Sequence, residues 1–381
     1  MLRTKLPKQP ASIFTVMSSL AQENNAINLS QGFPEFNPPL ALLEKVKEAL
    51  EGGKNQYAPM PGILSLREIL SMRIAQWRGF QANPITEITI VPGATAGLFV
   101  CIQALVHPGD EVILFDPSYD SYAPAVILAG GRPIRIALNP ADFSMPWDRI
   151  EELINHKTKL ILINTPHNPM GRIFSREDWD QLANLLSNSD AMVLSDEVYE
   201  HMVFDPYKHI SVLEIPSLSN RSIAISSFGK TFHATGWKLG YICASETITT
   251  EIRKVYQFMA FSANTPMQWA AAEFMCEYPN YESSVKTLLQ EKRDIFANAM
   301  RSSRFTLLPC DGAYFQIVEY SAISGLNDME FAKEITTKHK VAGIPVSAFY
   351  QTSPPDQKLL RFCFAKHADT LLKSAEILCR L

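Results

Sequence analysis

The sequence of 381 residues has few charged side chains and no excess of basic ones. Asp, Glu, Lys and Arg make up 19% of the chain, below the roughly 25% that is usual for soluble proteins. The formal net charge is −4, so the basic surface typical of proteins that bind nucleic acid or anionic lipid is not indicated. The low charged fraction indicates a small surface for the mass or a surface covered by a partner.

Long apolar runs and paired cysteine motifs are also missing. No apolar stretch approaches the roughly 18 residues that a membrane helix needs, and the first residues contain no apolar core of a secretion signal. The six cysteines are scattered, mostly within apolar segments, which indicates buried free thiols in a reducing compartment. We therefore expect a cytoplasmic protein without a membrane or nucleic-acid partner.

Three ligand-binding motifs are absent. Gly229-Lys230-Thr231 resembles the end of a phosphate-binding P-loop, but the first glycine of that motif is replaced by Ala224. The turn at 92–97 lacks the Gly-x-Gly-x-x-Gly pattern of dinucleotide-binding proteins. The eight histidines show no metal-binding spacing, so we predict no metal site.

From about residue 87 the chain alternates between short β-branched runs and longer stretches of helical period. This alternation predicts an α/β domain with a mainly parallel central sheet and helices on both faces. The predicted strands are 87–91, 111–115, 132–137, 159–163, 191–194, 222–226 and 238–244, and helices are predicted at 94–106, 119–129, 147–155 and 175–187. After about residue 246, longer helical segments at 246–262, 281–302, 327–338 and 367–380, with a few strands between them, predict a smaller α+β domain.

Chemically useful side chains follow several of the predicted strands. A small-residue turn comes after the first, and Tyr119, Asn168, Asp196 and Lys230 come after later ones. Ligands of such sheets bind at the carboxyl ends of the strands. A lysine, a carboxylate, an aromatic ring and a helix N-terminus are what a phosphorylated aromatic aldehyde such as pyridoxal phosphate requires.

The segment from Ser226 to Gly240, which reads Ser-Ser-Phe-Gly-Lys-Thr-Phe-His-Ala-Thr-Gly-Trp-Lys-Leu-Gly, resembles the lysine segment of class I aminotransferases of fold type I. The similarity covers nearly the whole chain and is closest to the branch with kynurenine, glutamine and methionine aminotransferases. Further matching segments are 28–36, 55–62, 116–124, 165–171, 195–201 and 360–364.

The resemblance implies a cofactor site for pyridoxal 5'-phosphate. Lys230 would form the imine with the cofactor and carry the proton in the reaction, and Asp196 would pair with the ring nitrogen. Tyr199 and Asn168 would bind the ring hydroxyl, and Tyr119 would stack on the ring. The phosphate would be bound by Ala94, Thr95, Ser227 and Lys238, and by Tyr57 from the other subunit of a homodimer.

The resemblance also implies a substrate site. Arg361 would bind the α-carboxylate of the amino acid, helped by Gly32 and Asn168. Animal kynurenine-type relatives carry a Phe-His pair where this chain has Ala263-Asn264, and most class I relatives carry Arg at the position of Lys238. The missing aromatic residue leaves a plainer apolar pocket with Phe14, Phe33 and Tyr57, which fits an unbranched side chain such as that of methionine.

We therefore expect an aminotransferase that moves the α-amino group of methionine, and of other large apolar or aromatic amino acids, to a 2-oxo acid by a ping-pong mechanism. A kynurenine- or glutamine-type aminotransferase with β-lyase activity on cysteine S-conjugates is one alternative, and a non-catalytic module that senses the cofactor is another. The expected domains are a large cofactor-binding domain at 41–275 and a small domain formed by 1–40 together with 276–381.

Overall fold

The computed structural model describes residues 3–7, 11–354 and 356–381. Within these ranges the helices are α1 (Ile13–Glu23), α2 (Leu40–Glu51), α3 (Leu64–Arg78), α4 (Ala94–Leu105), α5 (Tyr122–Leu128), α6 (Trp147–Leu153), α7 (Arg176–Leu185), α8 (Phe228–Thr231), α9 (Glu246–Met259), α10 (Thr265–Glu277), α11 (Tyr281–Ala299), α12 (Asp328–Lys338) and α13 (Ala368–Leu378). The strands are β1 (Ile27–Asn28), β2 (Ile88–Val91), β3 (Glu111–Asp116), β4 (Arg132–Ala137), β5 (Thr158–Asn164), β6 (Met192–Asp196), β7 (Ser222–Ser227), β8 (Gly240–Ala244), β9 (Thr306–Leu307), β10 (Phe315–Glu319), β11 (Val341–Ala342), β12 (Ile344–Pro345) and β13 (Leu359–Cys363).

A central sheet of seven strands has the order β2-β8-β7-β6-β5-β3-β4. The strands from β7 to β4 are parallel, whereas β8 runs antiparallel to both of its neighbours. The carboxyl ends of β3, β5, β6 and β7 therefore meet at one edge of the sheet. This architecture confirms the predicted α/β fold.

Both faces of the sheet are buried, which explains the continuously apolar strands. In β5, Ile161 and Ile163 belong to one apolar cluster, while Leu160 and Leu162 belong to another on the opposite face. Successive side chains of a strand point to opposite faces, so a strand covered on both sides needs apolar residues at every position.

The two ends of the chain share a third apolar cluster. Met17 and Leu29 pack there with residues of β10, β13 and α13. A four-stranded antiparallel sheet has the order β12-β13-β10-β9, and β1 pairs in parallel with β11.

The seven strands predicted for the central sheet are present, with ends that differ from the predicted ones by no more than two residues. The sequence analysis missed α2, α3 and α10. It also predicted one helix over 246–262, whereas α9 ends at Met259 and α10 starts at Thr265. The break has a local cause, since the side chain of Asn264 accepts a hydrogen bond from the N–H of Met267 and caps α10.

The cysteines are all free, but they are not all buried. Cys101, Cys243 and Cys363 are buried, whereas Cys276 is exposed near the end of α10. The prediction of buried thiols is thus wrong for Cys276, which lies on the solvent side of α10 near its C-terminal end, and holds only in part for Cys310 and Cys379, which are half-buried. Within the described ranges, no helix is both long and apolar enough to cross a membrane.

Candidate active site

A cavity of about 330 Å³ opens at the carboxyl edge of the central sheet. It lies where β3, β5, β6 and β7 end, beside the N-terminus of α4 and the strand β13. Twelve of the fourteen residues predicted for the site line it: Phe14, Gly32, Ala94, Thr95, Tyr119, Asn168, Asp196, Tyr199, Ser227, Lys230, Lys238 and Arg361.

The N-terminus of α4 forms one end of the cavity. Gly93 precedes the helix with a φ of 83°, in the left-handed region that favours glycine. A Cβ at Gly93 would lie 3.3 Å from Cε and 3.4 Å from Nζ of Lys238. The glycine therefore leaves room for the lysine ammonium beside the free N–H groups of α4, an arrangement suited to a phosphate group.

Lys238 also has an unusual backbone, with a φ of 52° and a ψ of 58°. A non-glycine residue in this left-handed region is uncommon, and such strained residues cluster at ligand-binding sites. Lys238 lies two residues before β8, in the connection that reverses the chain direction from β7 to the antiparallel β8. Ser227, at the end of β7, lines the same end of the cavity.

Asp196 ends β6 and is buried, with 3% of the residue exposed. Its Oδ2 accepts a 2.6 Å hydrogen bond from the hydroxyl of Tyr122, and its Oδ1 accepts a 3.3 Å bond from the N–H of Val198. Burial raises the pKa of Asp196 to about 6, although the bond from Tyr122 acts to lower it. A cationic ring nitrogen beside this carboxylate would favour its ionised form.

Lys230 follows β7 on the short helix α8. Its Nζ donates to the hydroxyl of Tyr314 at 2.8 Å and to the carbonyl of Gly32 at 3.3 Å. Burial lowers the pKa of Lys230 to about 8. A substantial fraction of the amine is then neutral near physiological pH, as attack on an aldehyde and proton transfer both require.

Two tyrosine rings flank the cavity. The ring centroid of Tyr119 lies 5.7 Å from that of Tyr122 and 6.3 Å from that of Phe14. Tyr199 is 3% exposed and meets Tyr314 edge to face, with centroids 5.1 Å apart. Burial raises the pKa of Tyr199 above its usual range, so the phenol keeps its proton and is able to donate a hydrogen bond.

Arg361 on β13 is completely buried. One terminal nitrogen donates to Oδ1 of Asn168 at 2.7 Å, and the other donates to the carbonyl of Ser30 at 2.9 Å. Within the described ranges its Nε has no hydrogen-bond partner, and no carboxylate forms an ion pair with it. Burial lowers the pKa of Arg361 to about 10. Because a buried cation without a counter-anion is costly, the guanidinium is suited to bind a carboxylate from a ligand.

Aromatic rings surround this guanidinium. Its central carbon lies 4.0 Å from the ring centroid of Phe315 and 5.2 Å from those of Phe14 and Phe349. An amino acid whose carboxylate is bound by Arg361 would therefore place its side chain close to apolar and aromatic surface.

Two predicted contributors lie outside the cavity of their own chain. Tyr57 is 83% exposed on the loop between α2 and α3, where its ring meets Phe261 edge to face at 5.4 Å. Phe33 is 44% exposed and covers the ammonium group of Lys366. The predicted contribution of Phe33 to the pocket is therefore wrong for this cavity, because its side chain turns outward from the segment that contains Gly32.

The sequence analysis missed two residues that contact the candidate catalytic groups. Tyr122 binds Asp196, and Tyr314 binds Lys230. Tyr122 lies one helical turn after Tyr119, so a search extended along the first turn of α5 would have found it. Tyr314 precedes β10 in the C-terminal part of the chain, and no sequence pattern places it near β7.

A second group of buried ionisable residues lies next to the cavity. Ligand-type atoms of Glu197, Glu200 and His209 lie within 4.8 Å of one another. Nε2 of His209 is 2.9 Å from Glu197, while Glu200 accepts hydrogen bonds from Arg78 at 2.9 Å and Tyr241 at 2.8 Å. These contacts already occupy the carboxylate oxygens, so a stabilising network accounts for the group. The absence of a metal remains a prediction.

The donor set fits pyridoxal phosphate. The cradle at Gly93 suits a phosphate, Asp196 suits a protonated ring nitrogen, and Lys230 has the lowered pKa that an aldehyde requires. Tyr119 provides an aromatic surface in the same cavity.

Comparison with known proteins agrees with this geometry. The family model described as aminotransferase class I and II matches residues 24–376. The chain is 46% identical to a methionine aminotransferase of Escherichia coli K12 over 379 residues, covering 100% of this chain and 98% of that protein. It is 34% identical to human kynurenine--oxoglutarate transaminase 1, covering 92% of this chain and 91% of that protein.

A solved structure shows the same fold. It is that of YbdL from Escherichia coli, a protein identified as having a methionine aminotransferase function. The two structures superpose with a TM-score of 0.98 at 46% identity, and the match covers 100% of both chains.

Proposed function

The chain belongs to the class I and II aminotransferases, which use pyridoxal phosphate, and we propose that it moves the α-amino group of methionine to a 2-oxo acid. The observation that carries the proposal is the position of Lys230, Asp196 and Arg361 around one cavity. When bound, the cofactor supplies an aldehyde that takes up the amino group and a ring that withdraws electrons from the substrate.

Arg361 binds the substrate through its α-carboxylate. The contacts to Asn168 and Ser30 hold the guanidinium plane in place, and the unpartnered Nε leaves donor capacity for the ligand. A planar fork with two parallel N–H bonds fixes the orientation of a carboxylate as well as its position. The amino group and Cα of the substrate are thereby held towards Lys230.

Lys230 is placed to accept a proton from Cα of the substrate and to return it. Its low pKa keeps part of the amine neutral and able to accept a proton. Asp196, whose carboxylate is fixed by Tyr122, would keep the ring nitrogen of a bound cofactor protonated. Tyr199 and Asn168 would bind its ring hydroxyl, and Tyr119 would stack on the ring.

The lining of the cavity favours an apolar substrate side chain. Among the described residues that line it, the cations are Lys230, Lys238 and Arg361. The first two belong to the cofactor side and the third binds the α-carboxylate, so none remains for a second carboxylate on the substrate. Phe14 and Phe315 provide aromatic contacts instead, which fits methionine and other large apolar or aromatic amino acids.

The enzyme acts as a homodimer in which Tyr57 completes the phosphate site of the partner. Tyr57, Phe258 and Phe261 are 83%, 88% and 44% exposed, although large aromatic rings are rarely left in water together. A second copy of the chain would cover them, and it would account for part of the low charged fraction.

Two further predictions concern domains and location. The apolar cluster shared by the two ends of the chain supports a division into one domain at 41–275 and another formed by 1–40 with 276–381. The free cysteines support a cytoplasmic location.

A transamination screen tests the substrate proposal. The purified enzyme, loaded with pyridoxal phosphate, is assayed with each common amino acid against several 2-oxo acids. Methionine is expected among the best donors. Preference for an acidic donor would contradict the proposal, and release of pyruvate and ammonia from cysteine conjugates would reveal β-elimination.

Subunit complementation tests the dimer. Tyr57→Ala is expected to weaken cofactor binding, and Lys230→Ala is expected to abolish turnover. If Tyr57 acts in the partner's site, mixed dimers of the two variants contain one intact site and regain activity above that of either variant alone. No gain on mixing, or a monomer in sedimentation experiments, would overturn the shared site.

A further inference from the structure

Tyr314 is a buried tyrosine whose hydroxyl contacts the amine of Lys230. The residue is completely buried, and its ring is held edge to face by Tyr199 and Phe315, with centroids 5.1 and 4.8 Å away. The hydroxyl lies 2.8 Å from Nζ of Lys230 and 2.6 Å from the carbonyl oxygen of Gly32. Tyr314 does not line the cavity, so its hydroxyl contacts Lys230 from the side that faces the protein interior.

The direction of these two hydrogen bonds is fixed by chemistry. A carbonyl oxygen only accepts, so the single proton of the Tyr314 hydroxyl points to Gly32. Burial raises the pKa of Tyr314 well above its usual range, and the phenol therefore keeps that proton. The hydroxyl oxygen is left to accept from Lys230, which makes Lys230 the donor of the 2.8 Å bond.

Lys230 has a second acceptor on the same side. Its Nζ also donates to the Gly32 carbonyl at 3.3 Å. A neutral amine has two N–H bonds and one lone pair. With both N–H bonds directed to Tyr314 and Gly32, the lone pair points away from them, towards the cavity that Lys230 lines.

We propose that Tyr314 is a positioning residue that holds the amine of Lys230, whenever it is free of the cofactor, with its lone pair aimed at the substrate. The inference rests on the proposed role of Lys230. The hydroxyl joins three distant parts of the chain, namely the N-terminal segment at Gly32, the end of the central sheet at Lys230 and the loop before β10. The position of the amine therefore depends on how these three parts of the chain pack against one another.

The test compares Tyr314→Phe with Tyr320→Phe. Tyr320 is also fully buried, and its hydroxyl donates to the carbonyl of Leu326 at 3.1 Å, away from the cavity. Tyr314→Phe is expected to lower kcat with methionine by about ten- to hundredfold, the factor that a hydrogen bond to a charged group supplies, with little change in KM. The primary isotope effect with α-deuterated methionine is expected to increase, because proton transfer becomes slower. Tyr320→Phe is expected to change neither quantity.

A second readout uses the protein without cofactor. The pH dependence of Lys230 acylation, followed by mass spectrometry of the labelled peptide, reports the pKa of its amine. Tyr314 accepts from the charged amine and so stabilises it, and Tyr314→Phe is expected to move the midpoint down by about one unit. A purely structural role would lower thermal stability without moving this midpoint. An unchanged midpoint together with kcat within twofold of the wild type would overturn the inference.

A measurement on the unmodified enzyme covers the case in which the variant does not fold. In a crystal structure of the enzyme loaded with the amine form of the cofactor, which leaves the lysine free, Nζ of Lys230 is expected within about 3.2 Å of the Tyr314 hydroxyl. A lysine turned away from Tyr314 would contradict the inference. Full activity of Lys230→Ala would instead refute the proposed function, so the two failures are distinguishable.

Discussion

Asp196 and Glu197 are neighbours in the sequence, but they belong to two groups of charged residues that differ in how their charges are compensated. Glu197, with Glu200, His209 and Arg78, forms a network in which each carboxylate oxygen has a hydrogen-bond partner. Burial alone would raise the pKa of Glu200, yet the neighbouring His201 and Arg78 lower it to about 2. We call these four residues the paired network.

The group around Asp196 is left with unmatched positive charge. Within the described ranges, no carboxylate forms an ion pair with Lys230, Lys238 or Arg361. The carboxylate of Asp196 instead accepts a hydrogen bond from the hydroxyl of Tyr122. We call Asp196, Lys230, Lys238 and Arg361 the pocket group. A substrate carboxylate would balance Arg361, which is fully buried, and a cofactor phosphate would bind beside Lys238, which is exposed to solvent. The contrast indicates that the paired network balances its own charges, whereas the pocket group leaves positive charge available to ligands.

The largest effect is expected from removing the amine of the pocket group. Lys230→Ala is expected to lower the rate of methionine transamination by at least about 10⁴-fold, because no other group is placed to move the proton. Lys373→Ala, on the exposed side of α13, serves as the control and is expected to leave the rate unchanged. Initial rates of oxo-acid formation measure both.

Asp196 and Glu197 provide a matched pair of variants. Asp196→Asn removes the charge opposite the ring nitrogen and is expected to lower kcat by about 10²–10³-fold with little loss of stability. Glu197→Gln breaks the paired network and is expected to cost about 1–3 kcal/mol of unfolding free energy with a smaller change in kcat. Denaturant unfolding and steady-state kinetics of both variants decide the matter, and identical profiles would remove the distinction between the groups.

The two arginines offer a second matched pair. Arg361→Gln is expected to raise KM for methionine by about 10–100-fold, through loss of charge-assisted hydrogen bonds, without lowering the stability of the cofactor-free protein. Arg78→Gln leaves Glu200 without its cation and is expected to destabilise the fold by about 3–5 kcal/mol. If Arg78→Gln were stable and Arg361→Gln were unfolded, the assignment of Arg78 to fold stability and of Arg361 to substrate binding would be contradicted.

The smallest effect is a pH dependence within the pocket group. Lys230 reacts with an aldehyde only when neutral, and burial lowers its pKa to about 8. The rate at which the cofactor-free protein binds pyridoxal phosphate should therefore rise through pH 8 and level off above it, as the protonated fraction disappears. Stopped-flow absorbance measures this rate. A midpoint near the ordinary lysine value of about 10.4 would contradict the stated effect of burial.

The sequence predicted one of these groups and not the other. Asp196 and Lys230 were identifiable because both come within a few residues of the predicted ends of strands whose apolar runs are evident, and because they match a family pattern. Arg78 and His209 lie outside the matching segments, and Arg78 belongs to α3, a helix that the sequence analysis missed. The family, the fold and the cofactor are confirmed by the comparisons and the architecture.

The contacts that tune the site could not be predicted from local sequence. Tyr314 reaches Lys230 only because β10 and the segment at Gly32 fold against the central sheet. The antiparallel direction of β8 and the exposure of Cys276 also depend on tertiary packing. Local periodicity gives the elements, whereas these features are set by which elements meet.

The central claim is that the pocket group binds pyridoxal phosphate and takes the amino group from methionine. A single half-reaction tests it most directly, with the cofactor-loaded enzyme mixed with methionine and no 2-oxo acid. The account predicts one equivalent of the oxo acid of methionine for each active site, with full conversion of the cofactor to its amine form and none of either in Lys230→Ala. Failure to form oxo acid, or equal formation in Lys230→Ala, would contradict it.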